Sequence, residues 1–188
     1  MPTHVALLRG INVGGHNRLA MADLRDVVTS LGHADVRTYI QSGNVLFTAE
    51  ETDTAELAAG LARAIAETLA VRAGVVVLTR DELAQVVRDN PYPDEANPKL
   101  VHAVFLSEDP GPDVVDDLAA AQRQAAEKGS RDEAQLIGRT IFLHTPDGFG
   151  RSELAAVLSR GSSSKSTSAT GTARNWATVT KLHALFDS

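Results

Sequence analysis

The stretch Arg9-Gly10-Ile11-Asn12-Val13-Gly14-Gly15-His16-Asn17-Arg18 decides how the fold begins, because it joins an apolar segment to an amphipathic one. Residues His4–Arg9 are typical of a strand, and apolar residues at helical spacing follow the stretch at Met21, Leu24, Val28 and Leu31. Three glycines allow a sharp turn with exposed N–H groups, and the positive end of the helix dipole faces the same place. The stretch therefore predicts a strand-to-helix turn that can meet an anion.

The pattern of the next seventy residues predicts three more strands and a second helix. The strands are expected at 36–41, 45–48 and 74–79, with the turn Ser42-Gly43-Asn44 joining the first two into a hairpin. The helix is marked by Leu57, Leu61, Ile65 and Leu69. The resulting order, β-α-β-β-α-β, is that of the split βαβ unit of ferredoxin-like proteins.

Thr79 and Glu82 have the spacing of a capping box and predict a short helix that ends before Pro91. A second, degenerate round of the same unit is predicted after residue 90. It has a strand at 100–107, a helix at 113–128, a hairpin at 134–145 and a helix at 152–160. Where its fourth strand is due, we expect the Ser-rich loop 162–171 and then a terminal helix. The predicted fold class is α+β, with duplicated ferredoxin-like units, antiparallel sheets and a C-terminal helix. The expected halves are 1–90 and 91–188.

A short internal echo supports the duplication. Gly43 leads into Leu46-Phe47, and Gly138 leads into Ile141-Phe142 at the same spacing. Each pair is followed by the tetrapeptide Glu-Leu-Ala-Ala, at 56–59 and at 153–156.

Composition and charge exclude several classes of protein. The chain has 188 residues, no cysteine and a net charge of -6, so disulfides, thiolate catalysis and cysteine-ligated metals are excluded. Residues 1–47 hold four Arg against three Asp, and residues 161–188 hold three basic residues against one Asp. Cationic patches on an acidic chain favour a small anionic ligand over general polyanion binding. No apolar run approaches the ~18 residues of a membrane helix, so we expect a cytoplasmic protein without a membrane partner.

Polar residues in three segments are the candidates for ligand binding. Alternation along 36–41 places Arg37, Tyr39 and Gln41 on one sheet face, which is expected to be open or to line a cleft. Arg174 and Lys181 lie seven residues apart, on roughly one face if both are helical. In the alternative, Arg174 precedes the helix, Asn175 caps it, and Arg174 reaches an anion at that terminus. The candidate ligand-binding residues are Arg9, Asn12, Gly14, Gly15, His16, Tyr39, Gln41, Ser42, Asn44, Arg174 and Lys181.

The glycine stretch matches neither known phosphate fingerprint. Gly10 and Gly15 have the spacing of a P-loop, but His16-Asn17 replaces the Lys-Ser/Thr pair, and Asn12 occupies the second glycine of a dinucleotide motif. A tight turn with no ligand remains the alternative. The six histidines show no pair at i, i+4, so we expect no metal and no cofactor.

Four motifs occur in a fixed order: ALLRGINVGG at 6–15, TYIQSGNV at 38–45, PDGFGRS at 146–152 and RNWATVTKL at 174–182. Together they resemble the domain-of-unknown-function family DUF1697. The resemblance implies a duplicated ferredoxin-like architecture and no established activity. His16 stands where the family usually has Lys, and Glu153 where it often has Lys. If those lysines bind phosphate in relatives, this chain would bind it more weakly or with pH dependence.

The leading functional hypothesis is a binding module for a small anionic or phosphate-bearing ligand, with nucleotides among the candidates. The ligand is expected at a cleft where the glycine-rich loop 9–18, the turn 39–44 and the Arg-Asn-Trp element 174–181 converge. An enzyme acting on such a metabolite is the alternative, with His16 and Tyr39 as proton-transfer candidates. The third hypothesis is a nucleic-acid binder that uses an open sheet face. The net negative charge and the small number of aromatic residues, eight in all, disfavour it, because few side chains could stack on bases. The sequence leaves the catalytic question and the oligomeric state open.

Overall fold

A computed structural model describes residues 1–15, 17–51, 53–161 and 171–188. The fold is α+β, as predicted, with two four-stranded antiparallel sheets. The chain divides into two compact units: unit 1 holds 1–87 and 180–188, and unit 2 holds 88–179. The division into halves at residue 90 stays a prediction about domain organisation.

Unit 1 follows the predicted β-α-β-β-α-β order and adds a helix after its fourth strand. Its strand order is β2-β3-β1-β4, with β1 in an antiparallel pair on each side. The elements are β1 (His4–Arg9), α1 (Met21–Ser30), β2 (Ala34–Tyr39), β3 (Asn44–Thr48), α2 (Thr54–Leu69), β4 (Gly74–Thr79) and α3 (Arg80–Arg88).

Unit 2 repeats this order, with its strands arranged β6-β7-β5-β8. Its elements are β5 (Val101–Leu106), α4 (Pro112–Glu127), β6 (Glu133–Ile137), β7 (Thr140–His144), a 3-10 turn (Phe149–Arg151), α5 (Glu153–Gly161) and β8 (Gly171–Asn175). The last helix, α6 (Trp176–Leu185), begins in unit 2 and ends in the C-terminal segment of unit 1.

The unit has a fourth strand, so the sequence prediction of a degenerate unit without one is wrong. Strand β8 pairs along its whole length with β5, from Gly171 opposite Leu106 to Asn175 opposite His102. The segment Gly-Thr-Ala-Arg-Asn escaped prediction because it is mostly polar, although Thr172 and Arg174 are buried in the sheet. Residues 162–170 of the predicted Ser-rich loop lie outside the described residues.

Equivalent hydrogen bonds show how the two units correspond. The N–H of Leu8 donates to the carbonyl of Gly43 at 2.8 Å, and that of Leu106 donates to the carbonyl of Arg139 at 2.9 Å. This correspondence aligns Leu46 with Phe142, one residue away from the alignment suggested by the sequence echo. The echo fails because the turn between β2 and β3 has four residues and the turn between β6 and β7 has two.

The correspondence extends to the helix that follows each fourth strand. Thr79 and Glu82 form the predicted capping box, with the N–H of Thr79 bonded to Glu82 Oε2 at 2.8 Å and that of Glu82 to Thr79 Oγ1 at 3.1 Å. At the start of α6, the N–H of Thr178 donates to Asn175 Oδ1 at 2.9 Å, which confirms the predicted cap. The C-terminal helix is therefore the counterpart of α3.

The sheet of unit 1 is buried on both faces. On one face Ala6, Leu8, Val45 and Phe47 join the apolar residues of α1 and α2 in a single core. On the other face Val5, Leu7, Leu46, Val76 and Leu78 are buried as well. Of the two expectations for this face, open or lining a cleft, the open face is therefore wrong for the middle strands. At the edge, Arg37 Nη1 donates to the carbonyl of Ser188 at 2.6 Å.

Gly43 is required by close packing as well as by its backbone angle, and its replacement tests this. A Cβ at Gly43 would lie 2.5 Å from Ile11 Cδ1 and 2.8 Å from Leu8 Cβ, at φ +77°. Gly43→Ala should cost about 2–4 kcal/mol of unfolding free energy, from left-handed strain plus overpacking. Gly138 has φ +56° with no atom within 4 Å of its would-be Cβ, so Gly138→Ala should cost about 1 kcal/mol. Equal losses in urea denaturation would contradict the close contact at Gly43.

Candidate anion-binding site

The side-chain amide of Asn12 fixes the connection between β1 and α1, here called the glycine loop (residues 10–20). Its Nδ2 donates to the carbonyls of Leu19 and Gln41, each at 2.9 Å, and its Oδ1 accepts from the N–H of Leu19 at 2.9 Å. The backbone of Asn12 is left-handed, with φ 54°, a conformation that asparagine tolerates better than most residues. The amide therefore closes the loop and ties it to the turn after β2.

A second asparagine, Asn17, closes the loop from the other side. Its Nδ2 donates to the carbonyl of Gly10 at 2.9 Å and to that of Arg72 at 3.4 Å. Its own carbonyl accepts from the N–H of Asn12 at 3.1 Å. Gly10, Asn12 and Asn17 are thus tied to one another, and the chain after α2 lies against Asn17.

The turn between β2 and β3 packs on the glycine loop, because Asn12 Nδ2 bonds to the carbonyl of Gln41 and Gly43 lies against Ile11. Asn44 is fully buried, and its Nδ2 donates to the carbonyl of Tyr39 at 2.9 Å and to Ser42 Oγ at 3.0 Å. Strand β2 ends at Tyr39, so Gln41 lies in the turn rather than on the predicted strand face. The turn therefore brings together the candidates Asn12, Tyr39, Gln41, Ser42 and Asn44 through two sets of hydrogen bonds, one at Asn12 and one at Asn44. Their contact with a ligand stays a prediction.

A cavity of about 560 Å³ opens beside the glycine loop at the start of α1. It is lined by Asn12, Gly15, Arg18, Leu19, Ala20 and Asp23. The residue at the N-cap, Ala20, has an extended backbone and provides no side-chain acceptor for the first-turn N–H groups. These groups and the helix dipole favour negative charge at this end.

The charged lining of the cavity contains two residues that the sequence analysis did not select. Arg18 adds a cation that lies within the quoted stretch, so its sequence position was itself a signal. Asp23, in the first turn of α1, adds a carboxylate that opposes an anion. Gly14 is exposed next to the lining residue Gly15, and both have positive φ.

The remaining candidates do not all join this assembly. His16 lies outside the described residues. Arg9 is half-buried at the end of β1, and its register partner is Gly74. Lys181 is exposed on α6, in the segment assigned to unit 1.

Arg174 lies in a different setting from the one predicted. It is a residue of β8 in unit 2, only 7% exposed, and the shared helical face with Lys181 is wrong because α6 begins at Trp176. Its Nη1 donates to Thr172 Oγ1 at 2.9 Å and to the carbonyl of Ala173 at 2.8 Å. Burial lowers the pKa of Arg174 to about 10. Its convergence with the glycine loop stays a prediction.

Titratable groups elsewhere are built into the packing. In the described part of the chain, no group of three His, Asp or Glu side chains is placed to hold a metal ion. His102 is buried on β5, its ring stacks on Phe149 with centroids 4.1 Å apart, and burial lowers its pKa to about 4. His144 Nε2 and Glu95 Oε2 are 2.7 Å apart, and this hydrogen bond anchors the loop before β5 to β7.

Comparisons with known proteins identify the family and support the fold. The family described as protein of unknown function, DUF1697, matches residues 1–142. The motifs at 146–152 and 174–182 lie beyond this range. The conserved bacterial protein SP0830 from Streptococcus pneumoniae has a similar structure, with a TM-score of 0.70 and 24% identity over 98% of each chain. At that identity the likeness concerns the fold alone. No curated protein matches the chain.

None of the described helices has the length and apolar character needed to cross a membrane.

The role of the Asn12 amide is testable by an isosteric change. Asn12→Asp replaces the Nδ2 donor by an oxygen facing two carbonyls, so it should cost about 2–3 kcal/mol of unfolding free energy at pH 7. The two carbonyls raise the pKa of the new carboxyl in the folded protein. The loss of unfolding free energy is therefore smaller below the carboxyl's unfolded pKa and largest above its folded pKa. Asn97→Asp is the control, because Asn97 uses its Oδ1 to accept from the N–H of Lys99 at 3.1 Å and loses no bond. Equal losses of unfolding free energy for Asn12→Asp and Asn97→Asp, measured by urea denaturation at pH 7, would contradict the role given to the Asn12 amide.

The buried His102 predicts a pH dependence of stability. Its pKa of about 4 when folded lies below the usual 6.5, so the unfolded chain binds more protons between these values. The contribution is full above pH 6.5 and is lost as pH falls toward 4, by about 2–3 kcal/mol. His102→Phe keeps a ring against Phe149 and should flatten this part of the pH profile of unfolding free energy. An unchanged profile, after correction for the difference at pH 8, would show that His102 does not titrate as described.

Proposed function

This chain belongs to the DUF1697 family, and we propose that it is a binding module for a small anionic or phosphate-bearing ligand. The proposed site is the cavity beside the glycine loop at the start of α1. The observation that carries the proposal is the coincidence of this cavity with a helix N-terminus whose cap residue, Ala20, provides no side-chain acceptor. An anion can accept hydrogen bonds from first-turn N–H groups and gain from the helix dipole.

The construction of the site supports this reading. A bare strand-to-helix turn needs little more than glycines, whereas here Asn12 and Asn17 use four side-chain hydrogen bonds from Nδ2 to hold the loop. Such a framework fixes backbone groups in place before a ligand arrives, which lowers the entropic cost of binding. Arg18 supplies a guanidinium at the wall of the cavity, suited to carboxylate and phosphate oxygens.

Asp23 opposes this attraction and limits the expected affinity. Its carboxylate lines the same cavity and lies in the first turn, where it gains from the dipole itself. A ligand that also offers a hydroxyl or an amino group satisfies both side chains, because the carboxylate can accept from it. Sugar phosphates and nucleotides have this combination.

The alternatives receive less support. The enzyme hypothesis needs His16 and Tyr39 as proton carriers, and of these the structure describes Tyr39, which is half-buried on β2. The nucleic-acid hypothesis relied on an open sheet face, and the middle of that face in unit 1 is filled by buried Leu7, Leu46 and Val76.

Substitution of the cap residue separates binding from stability. Ala20→Asp places a carboxylate on the first-turn N–H groups, so it should raise unfolding free energy by about 1 kcal/mol. The same carboxylate occupies the proposed anion position, so sulfate affinity should fall at least ~10-fold, about 1.4 kcal/mol. Sulfate is the probe because its charge is constant over neutral pH, and binding is followed by NMR shifts of amides in the glycine loop.

Arg63→Asp is the matched control for a general charge effect, because Arg63 is exposed in the middle of α2. It makes a larger change in net charge and should alter sulfate affinity less than ~2-fold. If Ala20→Asp is more stable than the parent but binds sulfate with the same affinity, the start of α1 has a structural role only and the proposal is contradicted.

A further inference from the structure

The backbones of three arginines meet at one point of unit 1, and two of the three, Arg18 and Arg72, were not selected from the sequence. Asn17 Nδ2 donates both to the carbonyl of Gly10 and to that of Arg72. Arg9 precedes Gly10, and Arg18 follows Asn17 in the chain. The backbones of Arg9, Arg18 and Arg72 are thus gathered around a single side-chain amide. These three residues are called the arginine corner below.

Two members of the arginine corner are not neutralised within the described part of the chain. Arg18 and Arg72 are exposed, and neither forms an ion pair with a described residue. Two other arginines do: the half-buried Arg80 pairs with Asp187, and the exposed Arg131 pairs with Asp147 at 2.5 Å. Like charges repel, and in a chain of net charge -6 two exposed arginines whose backbones meet at one junction favour a partner with several negative charges.

The duplicated unit provides an internal comparison. In unit 1 the connection between the first strand and the first helix, 10–20, has eleven residues, including Arg18. In unit 2 the corresponding connection, 107–111, has five residues and contains Glu108 and Asp109. Asp109 lies 3.9 Å from Arg139. The same place in the fold is therefore cationic in one copy and acidic in the other, so the arginine corner is not a requirement of the fold.

We infer that the ligand of the proposed site carries two or more linked anionic groups, as in a diphosphate or triphosphate. One group lies in the cavity beside Arg18, and the next lies at Arg72, which extends the site beyond the cavity. This inference rests on the proposed function and specifies its ligand class. A single phosphate uses one guanidinium and the helix start, whereas a chain of phosphates also uses the second guanidinium.

The test compares orthophosphate with tripolyphosphate by isothermal titration calorimetry at constant ionic strength. Tripolyphosphate should bind at least ~30-fold more tightly than orthophosphate, because it engages both guanidinium groups. Arg72→Ala should weaken tripolyphosphate about 10-fold and leave orthophosphate within about 2-fold. Arg18→Ala should weaken both probes. Arg63→Ala, the control with the same change of charge, should affect neither by more than about 2-fold.

The outcomes separate this inference from the proposal on which it rests. If orthophosphate binds and tripolyphosphate binds no more tightly, or if Arg72→Ala weakens neither, the inference is overturned and the anion site remains. If Arg63→Ala lowers the affinity for tripolyphosphate as much as Arg72→Ala does, the effect comes from the overall charge of the protein, and the inference is again overturned. If neither probe binds, both proposals fail. Tighter binding of a single-stranded octanucleotide, with a steep salt dependence, would replace a small ligand by nucleic acid.

Discussion

The three hydrogen bonds of the Asn12 side chain are the constraint on which the candidate site depends. They join Leu19, at the end of the glycine loop, to Gln41, in the turn of the neighbouring hairpin. Without them eleven residues would connect β1 to α1 with few fixed contacts, and loop positions would vary at little free-energy cost. The N–H groups at the start of α1 and the guanidinium of Arg18 would then have no fixed spacing. The contact of Gly43 with Ile11 supports the same junction by steric fit.

Much of the scaffold could be predicted because it depends on local signals. Apolar periodicity marked α1 and α2 of unit 1, and the capping box of Thr79 and Glu82 is formed by residues three apart. Strand β8 could not be predicted in this way, since its polar sequence becomes a strand through pairing with β5, some seventy residues earlier. The burial of the second sheet face also depends on tertiary packing, which alternation within one strand does not encode.

Less of the candidate site than of the scaffold could be predicted from the sequence. The glycines, Asn12 and the cationic character of the loop were evident from the sequence, because they lie within ten consecutive residues. Arg72 was missed because it lies 55 residues from Asn17, and the link between them is a hydrogen bond from a side chain to a backbone carbonyl. Such a bond places no demand on the identity of residue 72. A pattern of side chains therefore cannot reveal it, and the three-dimensional structure must.

The duplication explains why a site of this kind can arise without loss of the fold. Both units form the same hydrogen bond from the end of the first strand to the turn before the third, and both cap the helix after the fourth strand in the same way. The long connection at 10–20 leaves these common contacts intact and can change independently of them. Ala20 makes no side-chain cap at the start of α1, so the helix lacks about 1 kcal/mol of stability that Ser or Asp would supply there. That loss is tolerable in unit 1 because α1 buries Leu24, Val27 and Val28, whose apolar burial outweighs a single cap. The helix start can thus remain open to an external anion while the helix itself stays anchored.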